Sequence, residues 1–324
     1  MQAWVLEDYG RLSVHHHETP AGAGVLLQVA ACGICGSDLS VYKGAPAMRA
    51  RWKPPLVLGH EIAGTVQEGP PDWLGQAVAV NPLVACGQCP ACWEGLSNLC
   101  AHRTNIGFHY WGGFAEQIRV PLSQLHRLPA GVPLWKGALA EPLAVALRAV
   151  ELAGPVLGRP VLVLGGGAIG TLAAWLLAQA GARVTVSERN PLRAAWLEGL
   201  GFIAEVMPTP SGQYDRVLET VGAQSTLTLA VNATRPGGSV VLVGLSDLEA
   251  PLPLQRTVLQ EIRIQGSYVF TQAEFARATA LLAHLPDTLA VRRPFAMAQT
   301  SFEELLAGRL AEAKVVLLHG GCNA

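Results

Sequence analysis

The stretch Val161-Leu-Val-Leu164 runs straight into Gly165-Gly-Gly-Ala-Ile-Gly170, and the apolar pattern from Ala168 to Gln179 beyond it is helical. A short, continuous apolar run reads as a strand buried on both faces. Glycines at the next positions allow a tight turn and let the backbone approach a pyrophosphate, while the helix beyond offers free N–H groups and a positive dipole end. Glycine-rich turns are common in α/β proteins, so the pattern gains meaning from its surroundings. Arg183 to Ser187 reads as the next strand, and Glu188 ends it 23 residues after Gly165, about where an acidic residue binds adenosine ribose hydroxyls. Gly165, Gly167, Ala168, Ile169, Gly170 and Glu188 are therefore the expected core of a dinucleotide site.

The alternation continues. Asn190 to Leu200 reads as a helix, and Arg216 to Leu218 and Ser239 to Val243 as strands. The half of the chain beginning near residue 145 is thus expected to be an α/β, doubly wound parallel sheet with helices on both faces. The turns Thr220-Val221-Gly222 and Val243-Gly244-Leu245 come after sheet strands, at the carboxyl ends where such folds bind ligands. Glu188 bears on cofactor choice: a carboxylate accepts hydrogen bonds from both ribose hydroxyls and repels a 2′-phosphate, which favours NAD over NADP. Arg189 and Arg193 act in the other direction, since a guanidinium could hold that phosphate.

The first 140 residues have a different texture. Short β-type runs (Val25 to Val29, Leu56 to Val66, Ala77 to Val80, Ala115 to Val120) are punctuated by glycine and proline, which predicts a mostly β domain with long loops. Within it lies Cys86-x2-Cys89-x2-Cys92-x7-Cys100, in a loop rich in Gly, Pro and Asn. Four thiolates close a tetrahedral zinc site with no open position, which makes such a site structural. An iron–sulfur cluster could use similar spacing, but no other feature points to electron transfer. A second constellation, Cys35-Gly-Ser37-Asp38 with Gly59-His60-Glu61, supplies a thiolate, an imidazole and a carboxylate. Those donors suit a catalytic zinc, which needs three protein ligands and one exchangeable position.

The order of Gly33-Ile-Cys-Gly-Ser-Asp38, Gly59-His-Glu61, the Cys86 to Cys100 loop, Gly112-Gly-Phe-Ala-Glu116, Glu141-Pro-Leu143 and Gly165 to Gly170 resembles the zinc-containing medium-chain alcohol dehydrogenases. The likeness is to their polyol and threonine (sorbitol-like) branch and covers essentially the whole chain, including Arg235-Pro-Gly-Gly238 and Lys314-Val-Val316. It implies a GroES-like catalytic domain from residues 1–145 and 271–324, with a Rossmann domain at 146–270. It also implies zinc ligation by Cys35 and His60, with Glu61 a ligand in some states and Glu141 in the third position; which carboxylate binds at rest stays open. Cys32, three residues earlier, is expected to be a buried small residue.

The activity implied is hydride transfer between a secondary alcohol (a polyol, sugar or amino alcohol) and NAD, with zinc as Lewis acid. Ser37 would pass the proton outward and Asp38 would hydrogen-bond and orient a ligand imidazole. Gly266-Ser267-Tyr268 resembles the edge strand whose backbone holds the carboxamide in relatives. There are departures from sorbitol-type relatives. Ser40, Val41 and Tyr42 come after the Ser-Asp pair where a His and aromatics are usual, Val269 stands where an Arg is expected, and Gly75-Gln76 replaces a Gly-Asp pair. Phe108-His-Tyr-Trp111 forms a polar-aromatic insert that either lines the substrate cleft or packs as a surface loop. The rival readings are a zinc-free quinone or enoyl reductase and a non-catalytic nucleotide-binding protein.

Composition excludes other classes. Half of the 324 residues are hydrophobic, 15% are charged and the net charge is −1, which suits a folded enzyme and offers nothing for nucleic acid or an anionic membrane. No apolar run approaches a membrane span, and the N-terminus lacks a signal-peptide pattern. Seven cysteines, tightly clustered but for Cys322, read as metal ligation rather than disulfides, so a cytoplasmic location is expected. His15, His16 and His17 are expected on the surface of the first strand region. The family resemblance implies a homodimer or homotetramer joined through sheet edges, and Val240 to Gly244 and Ile262 to Val269 are apolar enough to allow it.

Overall fold

The computed structural model describes residues 1–206 and 214–320. Cys322 lies outside the described residues. The chain forms two compact units, one of Met1–Glu141, Phe270–Arg309 and the segment from Lys314 onward, the other of Pro142–Val269 with Leu310–Ala313.

The first unit is built on a sheet in the order Val291–Pro294, Val315–Leu318, Val25–Gly33, Glu61–Glu68, Ala77–Val80, Leu125–Arg127, with Gln117–Val120 paired to Val25–Gly33. Its central strand carries a nearly unbroken apolar run, as a strand covered on both faces requires. Register brings three strands together at Gly33, which pairs with Glu61 on one side and Val316 on the other. Alternation in Gln2–Asp8 and Arg11–His16 gives a separate antiparallel hairpin on which the three histidines sit half-buried or exposed.

The apolar run from Leu56 to Val66 does not form one strand. The strand begins only at Glu61, because Gly59 takes a left-handed backbone (φ 92°) and the carbonyls of Val57, Leu58 and Gly59 accept from the N–H groups of Gly112, Phe114 and Gly113. Those bonds hold residues 57–60 as a loop. The cysteine-rich segment projects between Leu83–Val84 and Thr104–Asn105, which pair as a two-stranded ribbon.

The second unit is a six-stranded, wholly parallel sheet in the order Ile203–Glu205, Arg183–Ser187, Pro160–Leu164, Tyr214–Glu219, Thr234–Leu242, Arg263–Gly266. Sequence order reverses direction between Pro160–Leu164 and Tyr214–Glu219, the switch point at which open α/β sheets bind ligands. Leu162, Leu164, Val217, Val240, Ala230, Val231 and Ile262 form a buried core on this sheet. The helix Ala168–Gln179 buries eight of its twelve residues, and Pro191–Gly199 starts from Asn190, whose side chain caps the Leu192 N–H at 3.0 Å. Thr234–Leu242 starts five residues earlier than the apolar pattern at Ser239, since Thr234 already pairs with Tyr214; Arg235-Pro-Gly-Gly238 then bulges out, with Gly237 at φ 69°, before pairing resumes between Ser239 and Arg216.

Candidate functional site

Two sets of metal-ligating side chains converge among the described residues, and both lie in the first unit. In the first, one donor atom each from Cys86, Cys89, Cys92 and Cys100 lies within 4.8 Å of the others. The Cys89 and Cys92 sulfurs are 3.5 Å apart, and the Cys86 N–H points at the Cys100 sulfur at 3.4 Å. That backbone donor is the main reason the Cys100 thiol is lowered to about 6, whereas desolvation and its hydrogen bond with Cys89 push Cys92 up to about 11. Four thiols this close together suit a divalent soft-to-borderline cation, which takes the place of their protons.

The second set is Cys35, His60 and Glu61, again with donor atoms within 4.8 Å of one another. Cys35 caps the short helix Gly36–Tyr42, and Asp38 in its first turn accepts from the Cys35 N–H at 3.0 Å. The other oxygen of Asp38 faces His60 Nδ1 at 3.4 Å, long for a hydrogen bond. Both atoms are fully enclosed and neither has another hydrogen-bond partner. Burial works against charge on the His60 imidazole, but the neighbouring Asp38 and Cys35 outweigh it and hold its pKa well above the usual value. With Nδ1 turned to Asp38, Nε2 is the nitrogen left for a metal. Ser37 is half-buried at the edge of this set.

Glu61 is fully buried, and its carboxylate is clasped by Lys314, whose Nζ donates to Oε1 at 2.5 Å, to Oε2 at 2.7 Å and to the Ile34 carbonyl at 3.0 Å. Sheet register makes this pairing: both strands flank Gly33, and a Cβ added there would lie 1.9 Å from Glu61 Oε2. Lys314 stands 253 residues from Glu61, and the family likeness that includes Lys314-Val-Val316 gives it no role in the site. Glu141, in the first turn of the helix Ala140–Ala153, is not one of the three converging ligands. It is buried close enough to interact with His60, Glu61, Lys314 and Asp38; desolvation pushes its carboxyl up to about 7, Glu61 and Asp38 adding to the rise and His60 and Lys314 opposing it. Cys32 is fully buried and outside the converging set, its thiol raised well above the ordinary range by burial. Phe108 packs on the His60 ring with centroids 5.2 Å apart, and Trp52 lies 5.3 Å from Phe108 and 4.5 Å from His109.

In the second unit the glycine turn occupies the switch point. Gly165 has φ 95°, and a Cβ at Gly170 would lie 1.8 Å from the Gly165 carbonyl oxygen, so the helix can start this close to the strand only with glycine there. Gly167 caps the helix, with Ala168 and Ile169 half-buried behind it. The Thr220 hydroxyl spans the turn between the Leu164 carbonyl (2.8 Å) and the Gly165 carbonyl (3.1 Å). Glu188 accepts from the Gly166 N–H at 2.9 Å and the Asn190 N–H at 2.8 Å, with Arg193 at 3.5 Å; Arg189 beside it is exposed. Val221 and Gly222 donate to buried Glu219, while Val243 and Gly244 donate to the Glu219 carbonyl. Leu245 is 80% exposed, Ser267 bonds the Leu242 carbonyl through its N–H, and Tyr268 is exposed past the edge strand.

A parallel sheet with a glycine turn at its switch point, in one chain with a thiolate–imidazole–carboxylate set and a four-cysteine set, defines a metal- and dinucleotide-dependent oxidoreductase. Residues 22–130 match the alcohol dehydrogenase GroES-like domain family and residues 168–284 the zinc-binding dehydrogenase family. L-galactonate-5-dehydrogenase of Escherichia coli is 35% identical over 305 residues, 88% of each chain. L-idonate 5-dehydrogenase (NAD(P)(+)) of the same organism is 33% identical over 321 residues, 91% of each. The crystal structure of Escherichia coli galactitol-1-phosphate dehydrogenase superposes with a TM-score of 0.89 at 28% identity, covering 98% of this chain and 100% of that one. The chain belongs to the zinc-binding, NAD(P)-dependent alcohol dehydrogenase family, in its polyol-type branch. Among the described residues no helix is long and apolar enough to cross a membrane.

Proposed function

We propose that this enzyme oxidises a secondary alcohol of a polyhydroxy substrate, with NAD preferred as hydride acceptor. The observation that carries the reading is the convergence of Cys35, His60 and Glu61 within 4.8 Å, with Asp38 behind the imidazole. When bound, zinc supplies a Lewis acid that eases deprotonation of a hydroxyl near neutral pH, and nicotinamide accepts the hydride. Cys35 and His60 hold the metal, with Glu61 or Glu141 as the third protein ligand. Asp38 fixes the ring orientation of His60 and raises its basicity. The hydroxyl of Ser37 takes up the proton released and passes it outward. Lys314 balances the charge of Glu61 and keeps it from being an unpaired buried anion.

The turn Gly165–Gly170 and the N-terminus of the helix after it receive the pyrophosphate. Glu188 addresses the ribose, and its carboxylate supports NAD, while Arg193 and Arg189 beside it temper the repulsion of a 2′-phosphate. Thr220, Val221, Gly222, Val243, Gly244, Leu245, Ser267 and Tyr268 surround the nicotinamide end. Cys86, Cys89, Cys92 and Cys100 hold a structural zinc that ties down a loop with little core of its own. The GroES-like domain is assigned to residues 1–145 and 271–324 and the Rossmann domain to 146–270. Two filled ligand sets favour this reading over a zinc-free reductase. Exposed Leu245, Leu248, Leu254 and Leu259, together with the open edge strand Arg263–Gly266, support a homodimer or homotetramer. Clustered free thiols support a reducing, cytoplasmic setting.

The test is NADH production across polyols, sugar acids, amino alcohols and simple secondary alcohols, in wild type and Cys35→Ser. Turnover should vanish in the variant while NAD binding, monitored by fluorescence, persists. Undiminished turnover in Cys35→Ser would refute the assignment.

A further inference from the structure

The chain as a whole is nearly neutral, with a net charge of −1, yet two segments that meet near His60 are not. Residues 43–60 contain Lys43, Arg49, Arg51 and Lys53, and residues 101–115 contain Arg103; neither segment has an Asp or Glu. Aromatic contacts join the two segments. From the His60 ring, contact passes to Phe108 at 5.2 Å, then to Trp52 at 5.3 Å, and the Arg51 guanidinium lies 5.5 Å from the Trp52 ring. His109 closes against Trp52 at 4.5 Å. Its Nδ1 accepts the Asn105 N–H at 3.0 Å, which leaves Nε2 as an outward N–H donor in the neutral ring. Burial is the main cause that lowers the His109 pKa; the Asn105 hydrogen bond opposes it and the charges of Arg51 and Arg103 add to it.

Among the described residues Arg51 is exposed and makes no ion pair or hydrogen bond through its guanidinium, whereas Arg49 is used up on the Tyr9 ring and the Gly44 carbonyl. From His60 outward the side chains therefore run Phe108, then Trp52, both half-buried, with the His109 donor against Trp52 and an uncommitted guanidinium at the end of the row. Aromatic faces suit the C–H side of a carbon chain, a donor suits a hydroxyl, and a guanidinium suits a planar or tetrahedral oxyanion.

We propose that the substrate is a polyhydroxy chain ending in an anion, a carboxylate or a phosphate, with Arg51 holding the anion and Trp52 and Phe108 carrying the chain. The proposal rests on the reading of Cys35, His60 and Glu61 as the alcohol-oxidising site and deepens it. Arg51 is a specificity-determining residue, and His109 Nε2 supplies a hydrogen bond to a hydroxyl.

The test uses the zinc-loaded, full-length enzyme and three probes: L-idonate or L-galactonate, galactitol 1-phosphate, and the uncharged polyols sorbitol and galactitol. In wild type, kcat/KM for one anionic probe should exceed that for the neutral polyols at least tenfold, and the aldonate and phosphate arms identify which anion is used. Arg51→Gln should cut that preference at least tenfold, mostly through KM, and added salt should erode it in wild type. Calorimetric binding of the same probes to the NADH complex gives a readout that does not need turnover. An equal preference in wild type and Arg51→Gln, or neutral polyols handled as well as anions, would overturn the proposal while leaving alcohol oxidation intact. Absence of turnover with every probe would count against the oxidation reading, and Arg51-dependent binding of the anions would then decide this one: its presence supports the anion subsite and its absence overturns it.

Discussion

Replacing Gly170 by Ala isolates the contact on which the nucleotide turn depends. The new Cβ would lie 1.8 Å from the Gly165 carbonyl oxygen, 3.0 Å from its carbon and 3.0 Å from the Thr220 hydroxyl. The oxygen is backbone, so it cannot swing away as a side-chain tip does; helix and turn must separate by more than an ångström. Overpacking of this kind costs about 1–3 kcal/mol. At about 2–4 °C per kcal/mol for a domain of 150–250 residues, Tm should fall by about 2–12 °C. The same shift moves the amides meant for the pyrophosphate, so NAD binding should weaken at least tenfold, about 1.4 kcal/mol. Gly199→Ala is the control: it lies in the same unit, in a helix, with nothing within 4 Å of the added Cβ. It should be neutral or stabilise by about 0.5–1 kcal/mol, with NAD binding unchanged. Differential scanning calorimetry and fluorescence titration with NADH read both effects. A Gly170→Ala protein with wild-type Tm and affinity would refute the reasoning.

Three further outcomes are expected. His319 is stacked on Phe295 at 3.6 Å and buried, which lowers its pKa to about 4; the unfolded chain binds a proton near pH 6.5 that the folded one refuses. Stability is therefore full above pH 6.5 and falls as pH drops towards 4, by about 3 kcal/mol from this residue, so urea unfolding of His319→Phe should show a flatter acid limb. Asp215, bonded to Arg235 and to Arg159 at 2.6 Å, has its carboxyl lowered to about 2 by those partners. Asp215→Asn should cost about 1 kcal/mol at pH 7 after allowance for solvent screening, and the difference should disappear in denaturation curves as pH falls from 4 to 2. Cys92→Ser should speed proteolytic cleavage within residues 86–100 as much as chelation does in wild type; equal protection in variant and wild type would contradict a structural metal there.

Much of the fold is legible in local pattern. Ala77–Val80, Ala168–Gln179 and Arg183–Ser187 lie where apolar runs give way to glycine, polar or charged residues, since their own residues decide them. Elements set by distant partners are less legible. Leu56 to His60 is as apolar as a strand, but its carbonyls bond the 112–114 segment, which no periodicity reveals. The helix Ala298–Leu306 likewise starts with no side-chain cap to mark it, on an Ala298 that is fully buried. Cysteine spacing makes both metal sets visible. The Lys314 clasp on Glu61 and the meeting of Trp52 with Phe108 are not visible, since sheet register and loop packing join residues that have no sequence relation.

Zinc content bears most directly on the central claim that Cys35 and His60 hold a reactive metal. Elemental analysis of wild type, Cys35→Ser and Cys92→Ser should find two zinc ions per wild-type chain, matching the two ligand sets, and one fewer in each variant. The remaining ion in Cys35→Ser should accompany intact NAD binding and absent turnover. A Cys35→Ser protein that keeps the full wild-type complement of zinc would contradict the account.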